Sequence, residues 1–490
     1  MIGRFCIHTV TLMVVVSAQA TAQDNWPQWR GPTANGVSTS TGLPVEWSLE
    51  KNIVWQTELP SWSGATPIIW GDRIFITSPS RTTVDPAAAE AERERQAQER
   101  QQQADRQRGG QQRRGRQGRG GRQRGRRGRG GGGGGRGRRQ ARDPGGQKLL
   151  VLCISKSTGE LLWRRELDEG NKLHNKGNNT SPSPVTDGEN LWVVTGNGVI
   201  TMMDMDGETV WQQKLQDLYV PFGHNWGYAC SPLLHEGKLV VEVLHGMRTD
   251  DPSYVAAFDA KTGKALWQKE RWTDAVRESP DSYTTPVALQ VAGKTQIVIT
   301  GGDYVTGHDF ETGEEIWRVP GLNPNRSSNF RIIASPVAID GMVYAPTRVR
   351  PLLAISIGED GLANEDTISW KWDDRGGPDV PTPICDGKWF YMLNDQGLLT
   401  KIDAKTGEVA WGPERTVAGT VSSSPFLSEG KLYFTTEEGL TAVVSVGAEP
   451  EVLSANELDG TYTLSSPVPS GNQIFVRTST HLYCIGTGQK

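Results

Sequence analysis

Polar and aromatic residues able to do chemistry gather just ahead of Ser/Thr-Pro dipeptides in this chain. Asn178 and Asn179 stand in GNNTSPSP, and His224, Trp226 and Tyr228 in GHNWGYACSP. Asp281 and Tyr283 follow in DSYTTP, Arg331 in NFRIIASP and Asp379 in GPDVPTP. Asn and Asp oxygens suit a hard cation such as Ca²⁺. An Asp can serve as a general base, and Asp303 is the candidate for that role. Turn segments use the same Ser, Asn, Asp and Gly residues simply to cap backbone, so the list carries a structural explanation beside the chemical one. His224 and Trp226 stand out because no turn requires an imidazole or an indole. Asn178, Asn179, His224, Trp226, Tyr283, Arg331 and Asp379 are therefore the expected ligand-binding set. Elsewhere there is no Walker loop, no His/Cys metal spacing, no CxxCH haem site and no nucleophile elbow.

What positions these segments is a repeat. Six blocks run from a turn to a tryptophan, closing at Trp163, Trp211, Trp267, Trp317, Trp370 and Trp411. A Gly lies four residues before the Trp in all but the Trp370 block. Such spacing marks stacked supersecondary units. Alternating apolar residues around Asp-x-x-Thr-Gly read as a hairpin whose Gly supplies a positive φ. The Trp falls on the outgoing strand, where burial against the next unit removes roughly 150–250 Å² from water.

The second half of the unit opens with a small residue plus Pro, at Thr66, Ser183, Ser231, Thr285, Ser335, Thr382, Ser424 and Ser466. A strand start tolerates Pro because its missing N–H breaks no ladder. Eight openings, each heading about four strands, predict an all-β, eight-bladed β-propeller of four-stranded antiparallel blades. The last opening reaches only three strands, and NIVWQTEL with Trp55 supplies the fourth from the N-terminal side, closing the ring and removing sheet edges. Blade seven has Val452-Leu453 where the Trp is expected and reads as a degenerate unit.

With its strand, Asp-x-x-Thr-Gly and docking Trp, the chain resembles the quinoprotein-like (PQQ-like) β-propellers from about Trp55 to Gly486, one insertion apart. WPQWRGPTANGVS (Trp26 to Ser38) is similar to the opening of a group of exported bacterial propellers. The resemblance implies two kinds of function. One is a non-catalytic binding or scaffolding propeller of the envelope, as in the outer-membrane assembly lipoprotein. The other is a PQQ-dependent dehydrogenase of alcohols or sugars, with PQQ and calcium as cofactors. Those dehydrogenases use a Trp platform and, in many members, a disulfide between adjacent cysteines. This chain has no Cys-Cys pair. No contiguous motif transfers their calcium ligands or catalytic Asp onto numbered positions. The reading taken is the non-catalytic module, with no cofactor assigned.

Residues 1–22 read as a signal peptide: Arg4, an apolar core too short to span a bilayer, and Ala20-Thr21-Ala22. A monomer exported to the periplasm or cell envelope is expected, without a transmembrane segment after cleavage. Residues 23–51 form an N-terminal extension and 52–490 the propeller. Cys153, Cys230, Cys385 and Cys484 remain after cleavage and read as buried thiols, with a disulfide permitted by the compartment.

Residues 81–146 interrupt blade one with an Arg/Gly-rich insertion whose composition predicts disorder. Between Arg81 and Asp143, 19 Arg against 7 acidic residues leave +12; the whole chain is −4, so the remainder carries −16. A near-neutral total hides an acidic body with a basic arm. An exported protein meets little RNA, so envelope proteins or anionic envelope polymers, not nucleic acid, are the expected partners. Deleting residues 86–145 is expected to abolish salt-sensitive retention on anionic matrices. Unchanged retention and salt dependence in the deletion would remove the tether reading.

Overall fold

The computed structural model describes residues 25–82, 143–348, 351–374 and 376–487. The leader at 1–22 and most of the Arg/Gly insertion lie outside them. Eight four-stranded antiparallel sheets follow one another around an axis. The only α-helix among the described residues is Leu215–Leu218. Blade one comprises Ile68–Trp70, Arg73–Pro79, Lys148–Ser155 and Leu161–Glu169. Its middle strands are apolar because both faces are covered by neighbouring blades. Its fourth strand alternates between half-buried and exposed residues because only one face is covered. The insertion leaves after Pro79 and returns before Lys148. Its roots bond to inter-blade linkers, Trp62 Nε1 donating to the Asp143 carbonyl and Asn171 Nδ2 to that of Pro144.

Ring closure follows the expectation. Ile53–Glu58 pairs with His481–Gly486, Trp55 lying opposite Cys484, so the first strand of the chain completes the last blade.

Every docking Trp except Trp317 reaches the following blade. Trp55, Trp163, Trp211, Trp370 and Trp411 donate their indole N–H to the carbonyls of Lys156, Met205, Ala260, Ala404 and Gly447. Except for Trp411, the ring seats on the turn glycine of that next blade, and Trp267 seats in the same way. A Cβ on Gly159, Gly207, Gly263, Gly313 or Gly407 would come within 2.4–2.9 Å of the Trp ring before it. Those glycines also have φ of 72–83°, so two independent constraints exclude a side chain there. The repeat's one gap has a consequence. Blade five has Asp366 in place of the glycine, and Trp317, which would dock on it, turns back over Gly307 of its own blade and donates to Gln296.

Blade seven needs a correction. The strand register pairs Val443 with Ser454 and then Val444 with Val452, as it pairs Ala257 with Trp267 and then Phe258 with Ala265 in blade three. Ser454, not Val452 or Leu453, occupies the Trp position. Leu453 falls on the bulge and packs into the cluster holding Trp47 from the N-terminal extension.

The Ser/Thr-Pro openings have a role beyond starting strands. Each small residue donates its backbone N–H to the hydroxyl of its counterpart in the next blade. The series runs Thr66 to Ser183, Ser231, Thr285, Ser335, Thr382, Ser424, Ser466 and back to Thr66, at 2.9–3.4 Å. The following Pro biases each of these residues toward extended backbone, and the eight bonds close a hoop around the axis.

Inside that hoop the channel is occupied by the chain's own N-terminal extension. Trp26 bridges to Ile69 of blade one, and Val37 to Leu427 of blade seven. Buried Arg30 donates to the carbonyls of Pro425, Pro383 and Asn35 at 2.7–3.1 Å. Burial without a carboxylate partner brings its guanidinium down to about 9, leaving it charged at neutral pH.

Thr382→Val removes one acceptor of the hoop at nearly constant volume and strands the buried N–H of Ser335. Denaturant unfolding should show a loss of about 1–3 kcal/mol, recovered in Thr382→Ser. An unchanged midpoint in the Val variant would show that the hoop contributes nothing.

Candidate functional site

Above the hydroxyl hoop, on the face carrying the inter-blade linkers, lies an axial cavity of about 230 Å³. Its floor is formed by hoop residues, among them Thr66, Ser183, Ser231, Thr285, Ser424 and Ser466, together with Trp29 from the channel segment. Trp226, Tyr283, Arg331 and Asp379 form walls, and His174, Asn175, Lys176 and Gly177 enter from the linker between blades one and two.

Four of the sequence candidates thus meet at one cavity. Trp226 is 40% exposed. Its indole N–H donates to Glu278 Oε1 at 2.6 Å, and its backbone N–H to the Tyr283 hydroxyl at 3.0 Å. Arg331 faces Glu278 and Asp379, each at 3.7 Å, too far for a hydrogen bond. Among the described residues its guanidinium makes no hydrogen bond, and Asp379 Oδ1 is likewise buried without one. Arg348 faces Asp379 at 3.6 Å. On the opposite side Lys176 pairs with Glu437 at 2.6 Å.

The other candidates sit behind the walls. Asn178 is spent on the Trp62 carbonyl and on Thr180. Asn179 bonds the Gly170 carbonyl, Asn197 and His174. His224 packs among Phe222, Tyr228, His245 and Tyr283. Neither of its ring nitrogens makes a well-formed hydrogen bond. Burial, with His245 alongside, holds its imidazole down at about 3, so it is neutral. Asp281 is fully buried and ties three backbone N–H groups, those of Asn225, Gly246 and Met247, thereby shaping the loop that presents Trp226. Asp303 does not line the cavity. It holds a turn at φ 72°, accepts from Asn323 at 3.0 Å, and burial raises its carboxyl to about 6.

Sequence reasoning missed Trp29, His174 and Lys176. Trp29 lies in an extension that no repeat pattern places, and Lys176 in a linker that gives no hint of bending inward. Cys153, Cys230, Cys385 and Cys484 are buried thiols; burial pushes Cys153 and Cys484 up to about 12 and Cys385 to about 11.

A calcium-supported quinone finds no ready donor set. Among the described residues no group of three or more His, Cys, Asp or Glu converges on a point. The two asparagines expected as ligands are committed to backbone and side-chain partners.

Fold and cavity together define a propeller with an axial cavity. Residues 147–412 and 362–461 match the family model described as outer membrane protein assembly factor BamB, and the chain belongs to that PQQ-like propeller family. Over 245 residues it is 30% identical to the quinohemoprotein alcohol dehydrogenase ADH-IIG of Pseudomonas putida, covering 43% of this chain and 29% of that protein. Over 163 residues it is 28% identical to BamB of Alkalilimnicola ehrlichii, covering 31% of this chain and 40% of that one. The matched stretches thus span well under half the length of either relative. A europium-containing methanol dehydrogenase shares the fold with a TM-score of 0.59 at 10% identity, over 95% of this chain and 98% of that one.

Behind the Tyr283 wall, Glu242 is fully buried. It accepts from the Thr284 hydroxyl at 2.6 Å, with its second oxygen unpartnered. Burial raises its carboxyl from 4.5 to about 8. The folded state then holds a proton that the unfolded chain releases above about 4.5, so this group's contribution to stability falls as pH rises from about 4.5 to 8. Glu242→Gln should flatten that part of the stability–pH curve, by up to a few kcal/mol at pH 8 and little at pH 4.5. Parallel wild-type and variant curves would refute a neutral Glu242.

Proposed function

We propose that the chain is an exported, non-catalytic propeller of the periplasm or cell envelope that binds a partner or ligand at the axial cavity. The observation that carries this reading is the pairing of charges at the cavity. Asp379 and Glu278 face arginine, and Glu437 faces Lys176, so each carboxylate there already faces a cation and none is placed as a free general base. The Arg331 guanidinium, by contrast, makes no hydrogen bond among the described residues, and Trp226 is exposed beside it. A cation with unused donors next to an exposed indole suits recognition of an anionic group carried on an apolar body. The family's assembly-factor members support a partner among envelope proteins. No described helix is long and apolar enough to cross a membrane.

The alternative, a PQQ-dependent dehydrogenase of an alcohol or sugar, draws on the dehydrogenase relative and on the two indoles, Trp29 and Trp226, at the cavity. One experiment separates them. Purified protein mixed with PQQ and Ca²⁺ should retain no quinone absorbance and reduce no dye with alcohols or sugars. Cross-linked partners recovered from envelope extract should be lost in Arg331→Met and Trp226→Ala. Dye reduction that depends on PQQ would overturn the non-catalytic reading, and recovery unaffected by either substitution would remove the cavity from it.

A further inference from the structure

The linker between blades one and two does more than connect sheets. Leu173–His174 and Gly177–Asn178 form a two-stranded hairpin, and its four central residues, His174 to Gly177, all border the axial cavity. At one side the His174 ring lies on Gly227 of the linker between blades two and three, where a Cβ would come within 2.4 Å of it. At the other, Lys176 reaches blade seven. Its ammonium lies 2.6 Å from Glu437 Oε1 and 3.1 Å from Ser422 Oγ, and Ser422 itself donates to Glu437 at 2.7 Å. The hairpin therefore runs past the cavity between Trp226-Gly227 on one flank and blade seven on the other.

Its own cohesion is slight. A two-stranded hairpin is marginal in water, and this one has two paired positions with a non-glycine turn residue, Asn175, at φ 31°. Its base is firm, through Asn178 and Asn179, which bond Trp62, Gly170 and Asn197. The free end is anchored on one flank by His174, which bonds Asn179 and lies on Gly227, and on the other by Lys176. Glu437 is 6% exposed at the side chain and Lys176 33%, so the pair is shielded enough to matter and open enough to exchange.

We propose that the hairpin Leu173–Asn178 is a hinged strap over the axial cavity, latched to blade seven by Lys176 on Glu437 and Ser422, and that release of this latch governs entry to the cavity. The proposal rests on the axial cavity being the ligand site. Opening swings His174 to Gly177 away from the cavity while the asparagine base stays fixed. The hydroxyl hoop beneath is untouched, so the strap moves without loosening the ring.

Amide hydrogen exchange of the full mature chain tests the motion without any ligand. In Lys176→Met, exchange at residues 173–178 should accelerate at least tenfold while the thermal midpoint and the exchange of blade strands stay at wild-type values. Glu437→Gln, which keeps a hydrogen-bond acceptor but loses the charge, should fall between. Stopped-flow binding of 2-(p-toluidinyl)naphthalene-6-sulfonate, an apolar fluorophore with one anionic group, tests access; its entry should be several-fold faster in Lys176→Met and its binding weakened by Arg331→Met. Unchanged exchange at 173–178 in Lys176→Met overturns the strap while leaving the cavity as a binding site. Faster exchange with probe binding indifferent to Arg331→Met overturns the cavity reading instead, and with it the strap's role as a gate.

Discussion

Eight backbone N–H groups, each donated to a serine or threonine hydroxyl one blade further on, form the constraint from which the rest of the molecule follows. Where the first strands approach the axis, a Pro follows each small residue and no partner strand lies on the inner side. The N–H of that small residue would be left unsatisfied inside the protein, at a cost of about 1–3 kcal/mol. A hydroxyl from the next blade satisfies it only if that blade stands at one distance and one angle. Repeated eight times and closed from Ser466 back to Thr66, the bond sets blade spacing. It also lays a polar floor beneath the axial cavity.

The outer hoop works by a different force. Five of the Trp residues bury an indole face on the glycine of the next blade's turn, and most of these also reach that blade's backbone with the indole N–H. Apolar burial here is strong and directionless, and the glycine seat supplies the direction. The exceptions confirm the coupling between neighbours. Loss of the glycine in blade five changes the behaviour of a Trp in blade four, and loss of the Trp in blade seven coincides with Trp47 of the extension entering the shared core. A repeat motif is therefore a statement about two adjacent blades, although it is read from one.

Much of the cavity was legible because inter-blade linkers with an aromatic or a charge that no turn requires stand out from the repeat. Trp226, Tyr283, Arg331 and Asp379 all reach it. Asn178, Asn179, His224 and Asp303 were equally conspicuous in sequence, yet they cap backbone, pack or hold a turn. A side chain's type does not reveal whether its hydrogen-bonding capacity is already spent. Arg331 is informative for the opposite reason, since among the described residues its donors remain unused beside two carboxylates that stand slightly too far away.

Local patterning alone determined the eight-bladed ring, its closure by Trp55 and the place where the Arg/Gly segment interrupts it. Strand period, turn glycine and Ser/Thr-Pro openings are written within a few residues of one another and repeat. What only the tertiary structure decided were contacts between distant segments that share no motif. The segment around Trp29 and Arg30 occupies the channel, with Arg30 bound to carbonyls of blades six and seven more than 350 positions away. Ser454 stands at the Trp position because the bulge at Leu453 matches the one at Leu266 in blade three, a register that only strand pairing reveals. Lys176 crosses to Glu437 because the closed ring turns its inter-blade linkers toward a common axis. Such contacts depend on the geometry of the closed ring, which no window of sequence contains.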